Sequence, residues 1–241
     1  MRRVIYVILA TLLLAAIGSL GASADTLLND TFEGSTVGTP SGNVTYVTGA
    51  PQGTYAASLG LGSNISYGVD YFTGVGSLSF WLNPVHPSEV GQTKFVALGN
   101  KDSNAANGNF LVILDPNGYG EGNIGVRFLM YDSSNKSNYI DAPIPVNQWS
   151  YLTLSAGSEG MKLWVNHTLK NFNTSVTYGF SNKALYIGDN PNDGLSYSYA
   201  GKIDWLRAST RQNDLAPEPS AMLALAGGFI SCVAFVRRKR S

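Results

Sequence analysis

The sequence predicts an all-β fold, an antiparallel sandwich carried between two processing segments. Three observations predict it. Between residues 25 and 210, apolar positions alternate over short runs and never settle into a sustained helical period. Gly, Asn, Asp and Pro separate those runs. The length, 241 residues, holds one domain of sandwich size with short segments left at both ends.

The chain opens with MRR and the apolar run VIYVILATLLLAAIGSL, then Ala22-Ser23-Ala24 ahead of Asp25. Positive charge, an apolar stretch and an A-x-A site make residues 1–24 a secretory signal peptide with a signal helix, cleaved after Ala22 and Ala24 have been read. An uncleaved membrane anchor is the alternative.

Residues 25–212 form the body. In GSLSFWLNP, Leu78, Phe80 and Leu82 point one way while Ser79, Trp81 and Asn83 point the other. NFLVILD is apolar on both faces and predicts a central strand covered on each side. IGVRFLMY sets Ile124, Val126, Phe128 and Met130 against Gly125, Arg127, Leu129 and Tyr131. In WSYLTLSAGSEGMKLWVNHTLKNF, Leu152 and Leu154 face inward, GSEG turns, and Met161, Leu163 and Val165 share the next inward face. Asn166-His167 then forms a type I′ turn, which needs positive φ at both residues. His is less suited to that than Gly, although it is enriched in the left-handed region. Trp81 and Trp164 fall on the face opposite the inward residues, where packing is the expectation.

Sixteen cations balance sixteen anions, but Arg2, Arg3, Arg237, Arg238, Lys239 and Arg240 lie outside residues 25–216, against Glu218 alone. Residues 25–216, the body with the start of its linker, therefore carry ten cations and fifteen anions, a net charge of −5. That argues against nucleic-acid binding, which needs a basic stripe to neutralise phosphates. The single cysteine, Cys232, lies in the terminal apolar run, so burial rather than an intrachain disulfide must stabilise the body.

No catalytic pattern emerges. Glycoside hydrolysis needs two carboxylates about 5 to 5.5 Å apart, or wider in inverting enzymes. The body's glutamates, at 33, 89, 121 and 159, are each solitary. His86 and His167 lack a third partner, and G-x-S-x-G, H-E-x-x-H and phosphate-loop patterns are absent. The chain is expected not to be an enzyme. GDNPNDG gathers Asp189, Asn192, Asp193 and Gly194, yet Pro191 and Ala200 stand where an EF-hand needs oxygen ligands, so an Asx-rich turn is the plainer reading. Tyr197 and Tyr199 alternate onto one face beside that loop. With Asp189 and Asn192 they are the candidate ligand-binding residues for carbohydrate.

WSYLTLS, EGMKLWVNHTL, KALYIGD and YAGKIDWLRAS, in that order, resemble the second half of a LamG-like (concanavalin A-like) jelly roll. GSLSFWLNP with TKFVALGNKD is similar to that family's earlier strand pair, and NDTFEGSTVGTPSG to its opening strand. The resemblance covers residues 26–210, with His167 departing from the glycine usual in its turn. It implies a bound Ca2+ in many members. Glu33 on the opening strand and Asp204 on the closing one, with Asp189 and Asp193, are the candidate ligands.

Residues 213–220 form a linker containing Pro217-Glu218-Pro219. An apolar helix over 221–236 follows, about 24 Å long and short for a bilayer core near 30 Å, and then the basic tail 237–241. Positive charge would hold that tail on the cytoplasmic side. Together these segments resemble a PEP-CTERM sorting signal. The resemblance implies an exosortase-type processing enzyme as partner and a transient C-terminal membrane helix. It also implies delivery to the surface or extracellular matrix of a Gram-negative bacterium. A plain single-pass anchor is the alternative.

The expectation for function is an exported, non-catalytic surface module binding carbohydrate or exopolysaccharide. A structural or adhesion protein acting by protein contacts, or a glycan-active hydrolase, are the other readings.

Overall fold

The computed structural model describes residues 25–100, 107–189, 198–213 and 215. The described residues form fifteen strands and two 3-10 turns, Val69–Tyr71 and Pro87–Val90. In chain order the strands are β1 (Thr26–Asp30), β2 (Thr39–Ser41), β3 (Val44–Thr48), β4 (Tyr55–Leu59) and β5 (Asn64–Tyr67). Next come β6 (Ser77–Pro84), β7 (Phe95–Gly99), β8 (Asn109–Asp115), β9 (Asn123–Tyr131) and β10 (Ser137–Pro145). The last are β11 (Ser150–Gly157), β12 (Gly160–Val165), β13 (Thr168–Asn173), β14 (Leu185–Gly188) and β15 (Gly201–Ser209).

They assemble into two antiparallel sheets. One has eight strands in the order β13-β12-β11-β6-β15-β4-β3, with β1 paired to β15. The other has seven, in the order β10-β9-β8-β7-β14-β5-β2. The expected all-β sandwich is therefore the observed architecture.

The inward faces are those the alternation predicts. Leu78, Phe80 and Leu82 meet Phe110, Val112, Val126 and Phe128 across the core, all wholly buried. Phe110 anchors a ring cluster, 4.9 Å from Phe180, 5.7 Å from Phe72 and 6.2 Å from Phe128. β8 is covered on both faces, because outward Leu111 packs with Val96 and Leu129. The β12–β13 turn takes positive φ at both residues, 48° at Asn166 and 65° at His167. Trp81 and Trp164 are half-buried.

Three features position the functional surfaces. Buried Asp30 ends β1 as a hub, accepting from the Phe32 and Val37 amides, the Thr36 hydroxyl and the Tyr67 hydroxyl, the last at 2.9 Å. That last bond links the two sheets, since Tyr67 closes β5. In β15 the register with β6 breaks between Asp204 and Arg207, and Trp205 bulges at φ 49°. Finally, residues 210–213 and Leu215 lie over the outer face of the eight-stranded sheet. There Ser77 Oγ donates to the Arg211 carbonyl at 2.8 Å and Ser155 Oγ to Asn213 Oδ1 at 3.0 Å. Thr153 Oγ1 donates to the Leu215 carbonyl at 3.3 Å.

The signal helix, Ala22 and Ala24, Pro217-Glu218-Pro219 and the expected helix over 221–236 lie outside the described residues, as do Asn192, Asp193 and Tyr197. Among the described residues no helix is long and apolar enough to cross a membrane.

Candidate functional site

The outer face of the seven-stranded sheet carries a charged and aromatic constellation built by cross-strand register. Ile113, Arg127 and Asp141 stand opposite one another on β8, β9 and β10. Leu111, Leu129 and Tyr139 form the neighbouring row. Arg127 lies between two carboxylates, with Nη1 3.6 Å from Asp115 and Nη2 3.8 Å from Asp141. Its guanidinium also sits 4.8 Å from the Tyr139 ring centre, within cation–π reach. Tyr139 is 53% exposed, so its ring is held from one side and open to solvent on another.

Tyr119 completes the arrangement by donating to Asp141 Oδ2 at 2.6 Å. Burial and that bond push its phenol up from the ordinary value. Its ring lies against β9 because residue 125 is glycine: a Cβ there would come within 2.0 Å of the ring. Asn171 of β13 donates to the Asp141 carbonyl at 3.1 Å, tying the edge of the other sheet to this surface. Of Asp115, Tyr119, Arg127, Tyr139 and Asp141, only Arg127 was named from periodicity, and none was a candidate ligand. A pattern confined to one strand cannot signal 115, 119, 127, 139 and 141 as neighbours.

Two of the candidate metal ligands meet at one loop. Glu33 Oε1 accepts from the Thr54 amide at 2.7 Å, and Asp204 Oδ2 from the Gln52 amide at 3.0 Å. Asp204 is inaccessible to solvent, and its Oδ1 is buried without a partner. Burial above all raises its carboxyl from 3.8 to about 6, aided by the charges of Glu33 and Asp30 and opposed by the Gln52 and Trp205 amides. An orphaned, buried carboxylate oxygen with a second carboxylate nearby fits a hard cation such as Ca2+. The described residues hold no group of three or more His, Cys, Asp or Glu side chains able to bind a metal. Backbone oxygens of the loop would therefore have to complete the shell. Asp189 stands apart from this pair, after β14, where its amide donates to the Ser63 carbonyl.

A third feature is a cleft of about 370 Å³ lined by Ser58, Asn83, Val90, Asn147 and Lys202 among others. Tyr199, a candidate ligand-binding residue, is not among its lining residues. The ring is wholly buried, edge-on to Phe95, and the hydroxyl donates to the Lys202 carbonyl at 2.9 Å. Tyr199 therefore offers no open ring to a ligand.

Comparison with known proteins matches residues 59–213 to the concanavalin A-like lectin/glucanases superfamily. Domain 4 of AbnA, a GH43 extracellular arabinanase from Geobacillus stearothermophilus determined with arabinotriose, is similar at 21% identity and TM-score 0.55. That match covers 77% of this chain and 92% of that one. The binding domain of botulinum neurotoxin serotype G is similar at 15% identity and TM-score 0.55, covering 78% of this chain and 48% of that one. The receptor-binding domain of the mosaic serotype C/D toxin gives 15% identity and TM-score 0.56, over 77% of this chain and 47% of that one. The chain thus spans about half the length of both toxin domains, and at these identities the likeness is one of fold. No curated protein matches the chain.

Proposed function

Because the chain belongs to the concanavalin A-like lectin/glucanase superfamily, we propose that it is an exported, non-catalytic module that binds carbohydrate or exopolysaccharide. The observation that carries this reading is the Tyr139 ring, exposed yet fixed by Arg127, with Asp115, Asp141 and Tyr119 around it. A rigid ring offers a face to the C–H surface of a sugar at little entropic cost, and fixed polar groups beside it read hydroxyls. The same geometry argues against hydrolysis. Both carboxylates of the constellation pair with one guanidinium, the wrong setting for a group that must deliver a proton to a leaving oxygen.

The A-x-A site and the tripartite tail support export and surface delivery in a Gram-negative bacterium, with an exosortase-type enzyme removing the tail. Calcium, if bound, is held by Asp204 and Glu33. It supplies charge neutralisation, a structural role that fastens the 50–54 loop to the last strand and to the bend after β1. Glu33 sits in that bend, three residues beyond the strand expected to carry it.

A glycan array of the exported body, with and without calcium, tests the binding. Wild type binds a polysaccharide class, and Tyr139→Ala and Arg127→Ala lose it while staying folded. Absence of glycan binding in either condition would favour the second reading, adhesion through protein contacts. That reading has its own support in edge strand β13, where Leu169 and Phe172 are 46% and 60% exposed. Hydrolysis of any polysaccharide by the purified protein would overturn the non-enzyme reading. Surface material still carrying residues 237–241 would refute the sorting.

A further inference from the structure

The cleft of about 370 Å³ at the start of β15 is lined by one charged side chain, that of Lys202. Lys202 stands opposite Ser58 of β4 on one side and Asn83 of β6 on the other. Residues paired across antiparallel strands have Cβ atoms about 4.5 to 5.5 Å apart, so the three side chains form one short row. Among the described residues, none of these three side chains has a hydrogen-bond or ionic partner. The chain around them is acidic, with a net charge of −5 over residues 25–216, yet no carboxylate is spent on this half-buried lysine. A cation drawn partly out of water is held at a cost that a countercharge offsets.

The row is held in place before any ligand arrives. The buried Tyr199 hydroxyl reaches the carbonyls of both Lys202, at 2.9 Å, and Asn83, at 3.4 Å, and so fixes the backbone of the two strands. Residue 201 must be glycine beside it, because a Cβ there would collide with that hydroxyl. Val85 and Val90 give the cleft an apolar lining. They flank a 3-10 turn closed by a capping box between His86 and Glu89. Asn147, also in the lining, donates its amide to the Pro84 carbonyl at 2.7 Å. One positive charge, amide and hydroxyl groups and an apolar wall suit a pyranose ring that carries a carboxylate. A doubly charged anion such as phosphate is better held by several cations or a nest of backbone amides, and the lining supplies a single cation. The volume lies at the low end of small-ligand sites, about 300 to 1,000 Å³, so the cleft takes a short stretch of sugar.

We propose that this cleft binds the carboxylate of an acidic sugar residue, a uronate, with Lys202 as its counter-ion and Asn83 and Ser58 beside it. The proposal rests on the carbohydrate-binding reading and adds to it the charge of the polysaccharide. It also gives the module a contact separate from Tyr139, since Lys202 belongs to the eight-stranded sheet and Tyr139 to the seven-stranded one.

The test uses the full chain in detergent, with chelator present so that calcium cannot bridge the carboxylate. Titration calorimetry measures binding of a galacturonate oligomer, its methyl ester and inorganic phosphate to wild type, Lys202→Met and Tyr139→Ala. Methionine keeps the apolar stem and removes the charge, and position 202 stands outside the buried core, so the fold is retained. Wild type and Tyr139→Ala should bind the acid oligomer alike, and Lys202→Met at least about tenfold more weakly, the worth of a hydrogen bond to a charged group. The ester should lose as much on wild type. Equal binding of acid and ester, equal binding by wild type and Lys202→Met, or no binding of the acid would overturn the proposal. Phosphate bound as tightly as the oligomer would overturn it too, making the cleft a general anion site. Failure of the Tyr139 reading is distinguishable. Neutral glycan bound through Tyr139 with no uronate bound sinks the cleft alone, whereas uronate bound through Lys202 with no neutral glycan bound sinks Tyr139 alone. A second measurement needs no variant. Reductive methylation of Lys202, read by mass spectrometry, should slow about fivefold when the oligomer fills four-fifths of the sites, while exposed Lys136 reacts as before. An unchanged rate at Lys202 would be equally fatal.

Discussion

Asp204→Asn is the substitution whose sign separates a carboxylate that stabilises from one held at a cost. Asp204 is buried on β15, with one oxygen bonded to the Gln52 amide and the other unpartnered. Its carboxyl is raised from 3.8 to about 6, so the folded state holds the proton more tightly than the unfolded chain does. Below 3.8 the group costs nothing. As pH rises towards 6 the folded state resists ionisation, and stability falls. At pH 7.5 the deficit is on the order of 3 kcal/mol, and at pH 5 about half of that. Asparagine keeps the shape and the acceptor for Gln52 but does not ionise. In chelator at pH 7.5, urea unfolding should therefore find Asp204→Asn more stable than wild type, with the advantage shrinking as pH falls. Calcium should narrow the gap and reverse the order at about a thousand times its dissociation constant, where an ion bound only to the folded wild type adds about 4.1 kcal/mol. If Asp204→Asn is the less stable protein in chelator at pH 7.5, the carboxylate is a net stabiliser and the reasoning fails.

Other substitutions probe the rest of the molecule. Gly125→Ala places a methyl where Tyr119 lies, displacing that ring and its bond to Asp141, so glycan affinity should fall several-fold while the melting temperature changes little. Calorimetry alongside the glycan array checks both halves. His167→Gly relieves a left-handed backbone but gives up a ring contact with Tyr151, for a net gain of about 0.5 kcal/mol in urea unfolding. Phe110→Ala empties the centre of the ring cluster and should cost about 3 to 5 kcal/mol. In a domain of this size that is a fall in melting temperature on the order of 10 °C.

Local alternation was enough to read the strands. β6, β9, β11 and β12 turn inward the residues their period assigns, and NFLVILD is covered on both sides as its composition implies. The Asn166-His167 turn was readable because the turn type demands positive φ at two adjacent positions. What escaped depends on register between strands distant in sequence. Arg127 meets Asp115 and Asp141 only because β9 lies between β8 and β10. Asp30 becomes a hub only when Tyr67 arrives from the other sheet. Trp205 reads as an ordinary strand residue until the bulge against β6 reverses its backbone. Glu33 and Asp204 were named from a family resemblance, and the structure brings both to the 50–54 loop through separate backbone amides.

The pairing of β1 with β15 sets an order of events. The first strand's ladder partner is the last strand, which also separates β6 from β4 in the same sheet. During synthesis or translocation from the N-terminus, β1 therefore waits unpaired until Ser209 has emerged. A chain cut short before β15 leaves three strands without their neighbour, and so has no truncated native form. Completion of the fold thereby reports that the whole domain has been delivered. The same adjacency brings the two ends of the body together, so joining them and reopening the chain at an exposed turn should yield a circular permutant with the same sheets.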